Sequence, residues 1–450
     1  MRSVVPLASG LVVALLLLSG CVMASEQEPT RPGSVDSCFL HEEQQGRVCF
    51  ASLAPESGDD ADGGYHLEAS IATHPTDPYQ ILLTWTERRY DPNAPLFGTA
   101  QVWAAITFDG GRSWESTQMR DPSIQRPPAS SSYSFDSTAA FTSAGIPIVL
   151  YGGESVTTLG TVSDHSRITL ARYAEHAWTY HVVAADRNTG GYDGMHMAAA
   201  PDAPYVYAAA HTATARSLYV WRSDDGGITW QQGPTVAEPI QAAYVAGAAT
   251  GDFDYWPRLA AGTDGFVALT ARRLDPSALR LWVSHDAGKE FAEPVAVPGG
   301  EYDNHAGNPI LWTPDGLGIT LVSSDGYAVA RSRDNGTTWA PTGLDAALVD
   351  SLPVRWSATA SRNGSVALLA TFQGAHWRAE VNVATNGNIV RVSAWESNAH
   401  PTGIGGGDEY GGIAFAADGR LWWTWSRSDT SIGIARTVGN VHEPSVMNTS

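Results

Sequence analysis

Short apolar runs occur in pairs along this chain. Each pair is a strand-length run, a turn with Gly or Pro, and a second run that often ends in an aromatic residue. Residues 66–71 pair in this way with 81–85, and 137–141 with 146–151. The pattern continues as 195–200 with 205–210, 258–261 with 266–271, 309–312 with 318–322, 357–360 with 365–372, and 412–416 with 421–425. Runs this short, bounded by turn residues, predict β-strands. The seven units begin near residues 66, 136, 194, 255, 304, 355 and 409. Their steps of about 49 to about 70 residues fit a repeated four-stranded unit.

A second recurrence is interleaved with the first. Thr107-Phe108-Asp109-Gly110-Gly111-Arg112-Ser113-Trp114 returns as Ser223-Asp224-Asp225-Gly226-Gly227-Ile228-Thr229-Trp230. It returns again as Ser332-Arg333-Asp334-Asn335-Gly336-Thr337-Thr338-Trp339, with a weaker copy at Ser284-His285-Asp286-Ala287-Gly288-Lys289-Glu290-Phe291. The Asp accepts hydrogen bonds from turn amides, the Gly supplies positive φ, and the aromatic ring starts the next strand with a large apolar face to bury. This phrase resembles the Asp-box, or BNR repeat, of the sialidase-like β-propellers. The resemblance implies an all-β propeller of four-stranded blades, with the boxes at the outer edge and away from the ligand face. Asp109, Trp114, Asp225, Trp230, Asp286, Asp334 and Trp339 are therefore expected to be structural. The unit count predicts seven blades; six, the number in sialidases themselves, is the alternative. Residues 168–171 followed by Trp178 fill the place of a degenerate box, and the units near 355 and 409 lack one. Residues 47–53 are expected to complete the last blade, so that the two ends of the chain close the ring.

Composition agrees with many short strands joined by tight turns. Charged residues make up 16% of the chain, against roughly 25% in ordinary globular domains, and there are 45 Gly, 16 Trp and 16 Tyr. The apolar fraction of 43% supports a large core and excludes a disordered chain. A formal charge of −20 argues against nucleic acid or an anionic membrane as partner. It leaves an anionic sugar open, because a local Arg cluster outweighs the global field.

The start of the chain carries an address. Arg2 precedes the apolar run 11–18, which is too short to span a bilayer and reads as a secretory signal. Leu18-Ser19-Gly20-Cys21 resembles a bacterial lipobox, which implies cleavage before Cys21 and lipidation of that residue. An ordinary signal cut near Ala24 is the alternative. The chain then divides into a lipoprotein signal peptide (1–20), a flexible tether (21–36) and a single propeller domain (37–450), anchored by lipid in the bacterial cell envelope on the extracytoplasmic side. Export permits a disulfide, and Cys38 and Cys49 are expected to bridge in a hairpin turning at 44–46; two separate thiols are the alternative.

Candidate chemistry sits in the loops that lead into the inner strands. His66, Asp136, Asp193, His196, Asp254, Asp303, His305 and Asp408 fall there, several beside aromatic residues. Two readings stay open. Each acid either bonds a neighbouring blade or caps its loop, or the set forms a polar funnel suited to sugar hydroxyls, with rings stacking on sugar faces. No cofactor is expected; calcium is the one ion that Asp oxygens would suit. The sialidase resemblance implies a Tyr nucleophile paired with an acid, a second acid, and three Arg that grip a carboxylate. Tyr410 beside Glu409 matches the Tyr/acid pair. Arg258 and Arg355 begin inner strands, and Arg126 lies in a Pro-rich loop. Where the family has an Arg-Ile-Pro phrase, this chain has Gly64-Tyr65-His66-Leu67, without an Arg. The expected function is binding of a glycan or an envelope protein at the central mouth, by a monomer, without sialidase catalysis. An exo-acting glycoside hydrolase of sialidase type is the alternative, and a scaffold in another complex the third reading.

Overall fold

In the computed structural model the paired apolar runs are neighbouring antiparallel strands. The structure describes residues 43–45, 48–53, 65–89, 99–120, 130–157, 162–186, 192–212, 218–237, 257–274, 277–297, 309–313, 315–323, 326–341, 346–347, 353–373, 377–385, 388–397, 411–426, 432–437 and 441. The signal peptide, Cys21, the tether and Cys38 lie outside them. Among the described residues no helix is long and apolar enough to cross a membrane.

Strands β1 (Glu43–Gln45) and β2 (Val48–Leu53) come first. Blade I is β3 (Tyr65–Thr73), β4 (Ile81–Arg89), β5 (Thr99–Thr107) and β6 (Glu115–Gln118). Blade II is β7 (Ser130–Phe141), β8 (Pro147–Thr157), β9 (Val162–Ala174) and β10 (Ala177–Asp186). Blade III is β11 (Tyr192–Ala199), β12 (Val206–Thr212), β13 (Leu218–Ser223) and β14 (Gln231–Ala237). Blade IV is β15 (Arg258–Ala261), β16 (Val267–Leu274), β17 (Ser277–Ser284) and β18 (Val295–Ala296). Blade V is β19 (Ile310–Thr313), β20 (Gly316–Ser323), β21 (Gly326–Ser332) and β22 (Ala340–Pro341), with β23 (Ala346–Ala347) also on β21. Blade VI is β24 (Pro353–Ala360), β25 (Val366–Gln373), β26 (Trp377–Thr385) and β27 (Asn388–Ser397). Blade VII starts with β28 (Gly412–Phe415), β29 (Leu421–Ser426) and β30 (Ile432–Thr437).

These described strands form seven antiparallel sheets. The first strands β3, β7, β11, β15, β19, β24 and β28 each touch the next, and β28 touches β3. The result is a closed β-propeller ring with the first strand of every blade around the centre.

Ring closure uses the start of the chain. The sheet order of blade VII is β28-β29-β30-β2-β1. Val48 pairs with Thr437, and the ladder runs on to Leu53 against Ile432. The hairpin ahead of it differs from expectation. Only two residues separate β1 from β2, and Gln44 stands opposite Cys49. Gln44 and Gln45, expected in the turn, are instead paired strand residues, with Gln45 opposite Val48.

Each blade buries both faces, so alternation selects between neighbours instead of between core and water. In β4, Ile81, Leu83 and Trp85 pack with Ala414, Trp422 and Ile434 of blade VII. Leu82, on the other face, packs with Val149 and Tyr151 of blade II. That is why second strands read as near-continuous apolar runs.

The Asp-boxes turn the chain from the third to the fourth strand of blades I, III, IV and V. In the blade III box, Asp225 Oδ1 accepts from the Ser223 hydroxyl (2.7 Å) and the amides of Ile228 (3.0 Å) and Thr229 (2.8 Å). The Thr229 hydroxyl donates to Oδ2 at 2.6 Å. Asp109 and Asp334 are bound in the same manner, by Thr107 and Ser113 and by Ser332 and Thr338. At Asp286 the serine hydroxyl and two amides remain, with Glu290 in place of the second hydroxyl. Trp230 and Trp339 each donate an indole N–H to the box glycine, Gly227 O at 3.0 Å and Gly336 O at 3.1 Å. Gly227 has φ +96°, and a Cβ there would lie 2.1 Å from Leu170 Cδ2 in the third strand of blade II. The box thus seats directly on the preceding blade. In blade II the degenerate box is a two-residue hairpin, with Glu175 at φ 52° and His176 at φ 61° between the paired Ala174 and Ala177.

Two outcomes follow from closure and from the boxes. A chain lacking residues 1–64 leaves β30 without its outer partner. Its thermal midpoint should fall by roughly 10 °C or more against a chain starting at Ser25, given about 2–4 °C per kcal/mol in a large domain; an unchanged midpoint would mean that β2 does not close the ring. For Asp225, burial pushes the carboxyl up, but the Thr229, Ser223 and Ile228 hydrogen bonds outweigh it and hold the value at about 2. A depressed acid contributes stability above its unfolded value near 3.8 that is lost as pH falls toward about 2. Asp225→Asn should be less stable than the parent at pH 7, and thermal unfolding across this window should show the gap closing.

Candidate functional site

The inner strands leave a central cavity of about 270 Å³. All seven blades line it, through Glu68–Ile71, Asp136–Ala139, Met195–Met197, Arg258 and Leu259, Pro309–Leu311, Trp356–Ala358 and Gly411–Ile413. A second cavity of about 490 Å³ opens where the first strands turn into the second, with His74, Arg362 and Asp418 on its wall.

The polar side of the central cavity is built by one repeated device. The first strands of blades I, II and III carry β-bulges, between Leu67 and Ser70, Phe135 and Thr138, and Asp193 and His196. A residue in left-handed backbone sits in each: Glu68 (φ 57°), Asp136 (φ 52°) and Gly194 (φ 61°). An extra residue in one strand re-aims the side chains around it, and here they turn toward the next blade. Glu68 Oε2 accepts the Asp136 amide at 2.6 Å and the Thr86 hydroxyl at 2.6 Å. Asp136 Oδ2 accepts the Gly194 amide at 2.9 Å. His196 Nδ1 accepts the Leu259 amide at 3.1 Å. Blades I to IV are thus joined in series, side chain to backbone.

The same packing crowds the acids. Burial pushes the Asp136 carboxyl well up, and the neighbouring Glu68 and Asp193 carboxyls push it further. Burial also raises Glu68, against the opposing Thr86 and Asp136 hydrogen bonds. Asp193 Oδ1 accepts the Gly194 amide at 2.9 Å, and its side chain is 43% exposed. Burial, then the Arg258 charge, holds His196 well below the usual imidazole value, so the ring is neutral. With Nδ1 accepting from Leu259, that neutral ring carries its proton on Nε2.

The structure brings together Asp136, His196 and Arg258 from the sequence-predicted residues, with Asp193 beside them. The inter-blade bonds made by Asp136 and His196 occupy part of their hydrogen-bonding capacity. His66 and Arg355 lie in β3 and β24, and nothing of their side chains is described. Arg126, Asp254, Asp303, His305, Asp408, Glu409 and Tyr410 lie outside the described residues. Among the described residues no group of three or more His, Cys, Asp or Glu is arranged to hold a metal ion. Sequence reasoning missed Glu68 and Ser137 as lining residues. The signal for Glu68 was a charged residue inside the apolar run 66–71, which only a bulge accommodates.

Comparison with known proteins adds a repeat and a general likeness. Residues 221–232 match the family model of the BNR/Asp-box repeat, over the blade III box. No curated protein matches the sequence. Among solved structures, the chain is similar to an intramolecular trans-sialidase from Ruminococcus gnavus, with 13% identity, 89% of this chain and 98% of that one covered, and a TM-score of 0.44. It is also similar to an α-L-arabinanase from Penicillium chrysogenum (11% identity, 86% and 99% covered, TM-score 0.44). A third is AofleA from Arthrobotrys oligospora (10% identity, 81% and 94% covered, TM-score 0.44). One fold of this kind hosts many chemistries, so none of these likenesses speaks to a substrate.

The crowded acids give a pH outcome. A carboxyl whose folded value is raised contributes its full stability below the unfolded value near 3.8, and loses it as pH rises through the folded value. Asn keeps the acceptor for the Gly194 amide and cannot ionise. Asp136→Asn should therefore gain stability relative to the parent as pH rises from 4 to 8. Chemical denaturation at both pH values tests this; an Asn variant that loses ground at pH 8 would mean Asp136 is ionised in the native protein. The chain is a β-propeller that carries BNR/Asp-box repeats.

Proposed function

We propose that this chain is a glycan-binding propeller of the bacterial cell envelope, held by a lipid on Cys21, and that it does not turn over sialosides. The observation that carries the reading is convergence. Seven inner strands place Glu68, Asp136, Ser137, His196, Arg258 and Trp356 around one cavity. A few polar groups fixed in an otherwise apolar recess are what orient a hydroxyl-rich ligand. Gly64-Tyr65-His66-Leu67 stands where the sialidase resemblance calls for an Arg, which supports binding over sialidase catalysis. The lipobox-like Leu18-Ser19-Gly20-Cys21 supports the anchored location.

The test uses a soluble chain starting at Ser25. A glycan array followed by calorimetry should find at least one bound glycan, and a fluorogenic sialoside should show no hydrolysis at pH 5 or pH 7. Hydrolysis abolished by Tyr410→Phe would replace this reading with an exo-acting glycosidase. Capture of an envelope protein with no glycan bound would replace it with a protein-binding role.

A further inference from the structure

At the junction of blades II and III one donor stands between two acceptors. The Gly194 amide is 2.9 Å from Asp136 Oδ2 of blade II and 2.9 Å from Asp193 Oδ1 of blade III. An ionised carboxyl only accepts, and a single N–H cannot serve two of them, so the pair repels unless a further hydrogen lies between the side chains. The Asp193 and Glu68 carboxyls both lie within hydrogen-bond reach of the Asp136 carboxyl. The strands packed against β7 are β3, β4, β5, β8 and β11. Among the described side chains, their titratable groups are Glu68, Glu87, Tyr151, Tyr192, Asp193 and His196, and none is Lys or Arg. Arg258 lines the same cavity and bears on His196, and His211 Nε2 lies 3.9 Å from Asp193 Oδ2.

We propose that Asp136 and Asp193 form a pH-operated latch between blades II and III in the wall of the central cavity, closed by one proton shared between the two carboxyls and released as pH rises. A protonated carboxyl donates as well as accepts. With the proton in place, Asp136 donates to Asp193 while the Gly194 N–H serves the remaining oxygens, and each member has a partner. Burial, then the Glu68 and Asp193 charges, favours the neutral form of Asp136, so the latch is closed on the acid side. As pH rises the proton leaves to water by way of Asp193, whose side chain is 43% exposed. Two anions then face one N–H, with Glu68 behind them, and the Gly194 amide keeps one partner at most. The bulge that contains Gly194 also carries His196, which holds the Leu259 amide of blade IV at 3.1 Å. Release at Gly194 therefore loosens the cavity wall across blades II to IV, whatever the cavity holds.

The experiment is hydrogen–deuterium exchange of the purified full chain at pH 5, 7 and 9, with each rate corrected for the intrinsic pH dependence of amide exchange. Protection at 192–197 should fall by about tenfold or more between pH 5 and pH 9, because local opening follows local contacts. Residues 366–373 in blade VI should hold their protection. In Asp136→Asn the side-chain amide donates to Asp193 permanently and the carbonyl keeps the Gly194 N–H, so 192–197 should stay protected at pH 9. Asp193→Asn should do the same with the roles exchanged, and its half-exposed position keeps the test available if the first variant does not fold. Equal protection of the parent at pH 5 and pH 9 overturns the latch. A fall that persists in either folded variant overturns the shared proton. Lower protection of Asp136→Asn already at pH 5 would mark the carboxyl as a structural acceptor only, and would overturn the latch as well.

Discussion

The structure depends on burying both faces of every blade at once. A sheet in a sandwich has one wet face, and its sequence alternates accordingly. Here β4 gives Ile81, Leu83 and Trp85 to blade VII and Leu82 to blade II. No blade has a core of its own, so each is stable only between its neighbours. The consequence at the centre is strict. First strands converge there, their side chains crowd, and backbone amides of one blade meet side chains of the one before. The bulges at Glu68, Asp136 and Gly194 resolve that crowding by turning acceptors sideways into the next blade.

The outer edge solves the same problem with different chemistry. Far from the axis the blades diverge, and a turn needs its own internal bonds. The Asp-box supplies them through one carboxylate that accepts two amides and up to two hydroxyls. Its glycine lets the loop press on the previous blade, as Gly227 does on Leu170. The two devices place carboxylates in opposite electrostatic circumstances. Donors around Asp225 favour its ionised form; burial among acids favours the neutral form of Asp136. One residue type is pushed in opposite directions at the rim and at the centre.

This contrast explains what was legible in the sequence. The outer boxes are local: donors and acceptor lie within five residues of each other, so the spacing Ser-x-Asp-x-Gly-x-Thr exposes the whole device. Strand pairs such as 66–71 with 81–85 and 412–416 with 421–425 were legible because hairpin partners are near neighbours in the chain. Pairing of 48–53 with 432–437 was legible from need, since blade VII runs out of chain. The site was legible only in part. Asp136, His196 and Arg258 stood out as polar residues at strand starts, but Glu68 acts through partners 18 to 68 residues away.

The pairing of β2 with β30 has a kinetic side. An early strand, Val48–Leu53, finds its partner in blade VII only after Ile432–Thr437 has been synthesised, nearly the whole chain later. Until then β2 is an exposed edge, and β30 is unavailable to cover it. Contacts of such sequence separation slow folding and lengthen the life of incomplete forms. The ring therefore has a single last step, and the interval before it is when the chain is most open to wrong partners. A molecule whose beginning and end belong to one sheet draws its circle only when both ends are present.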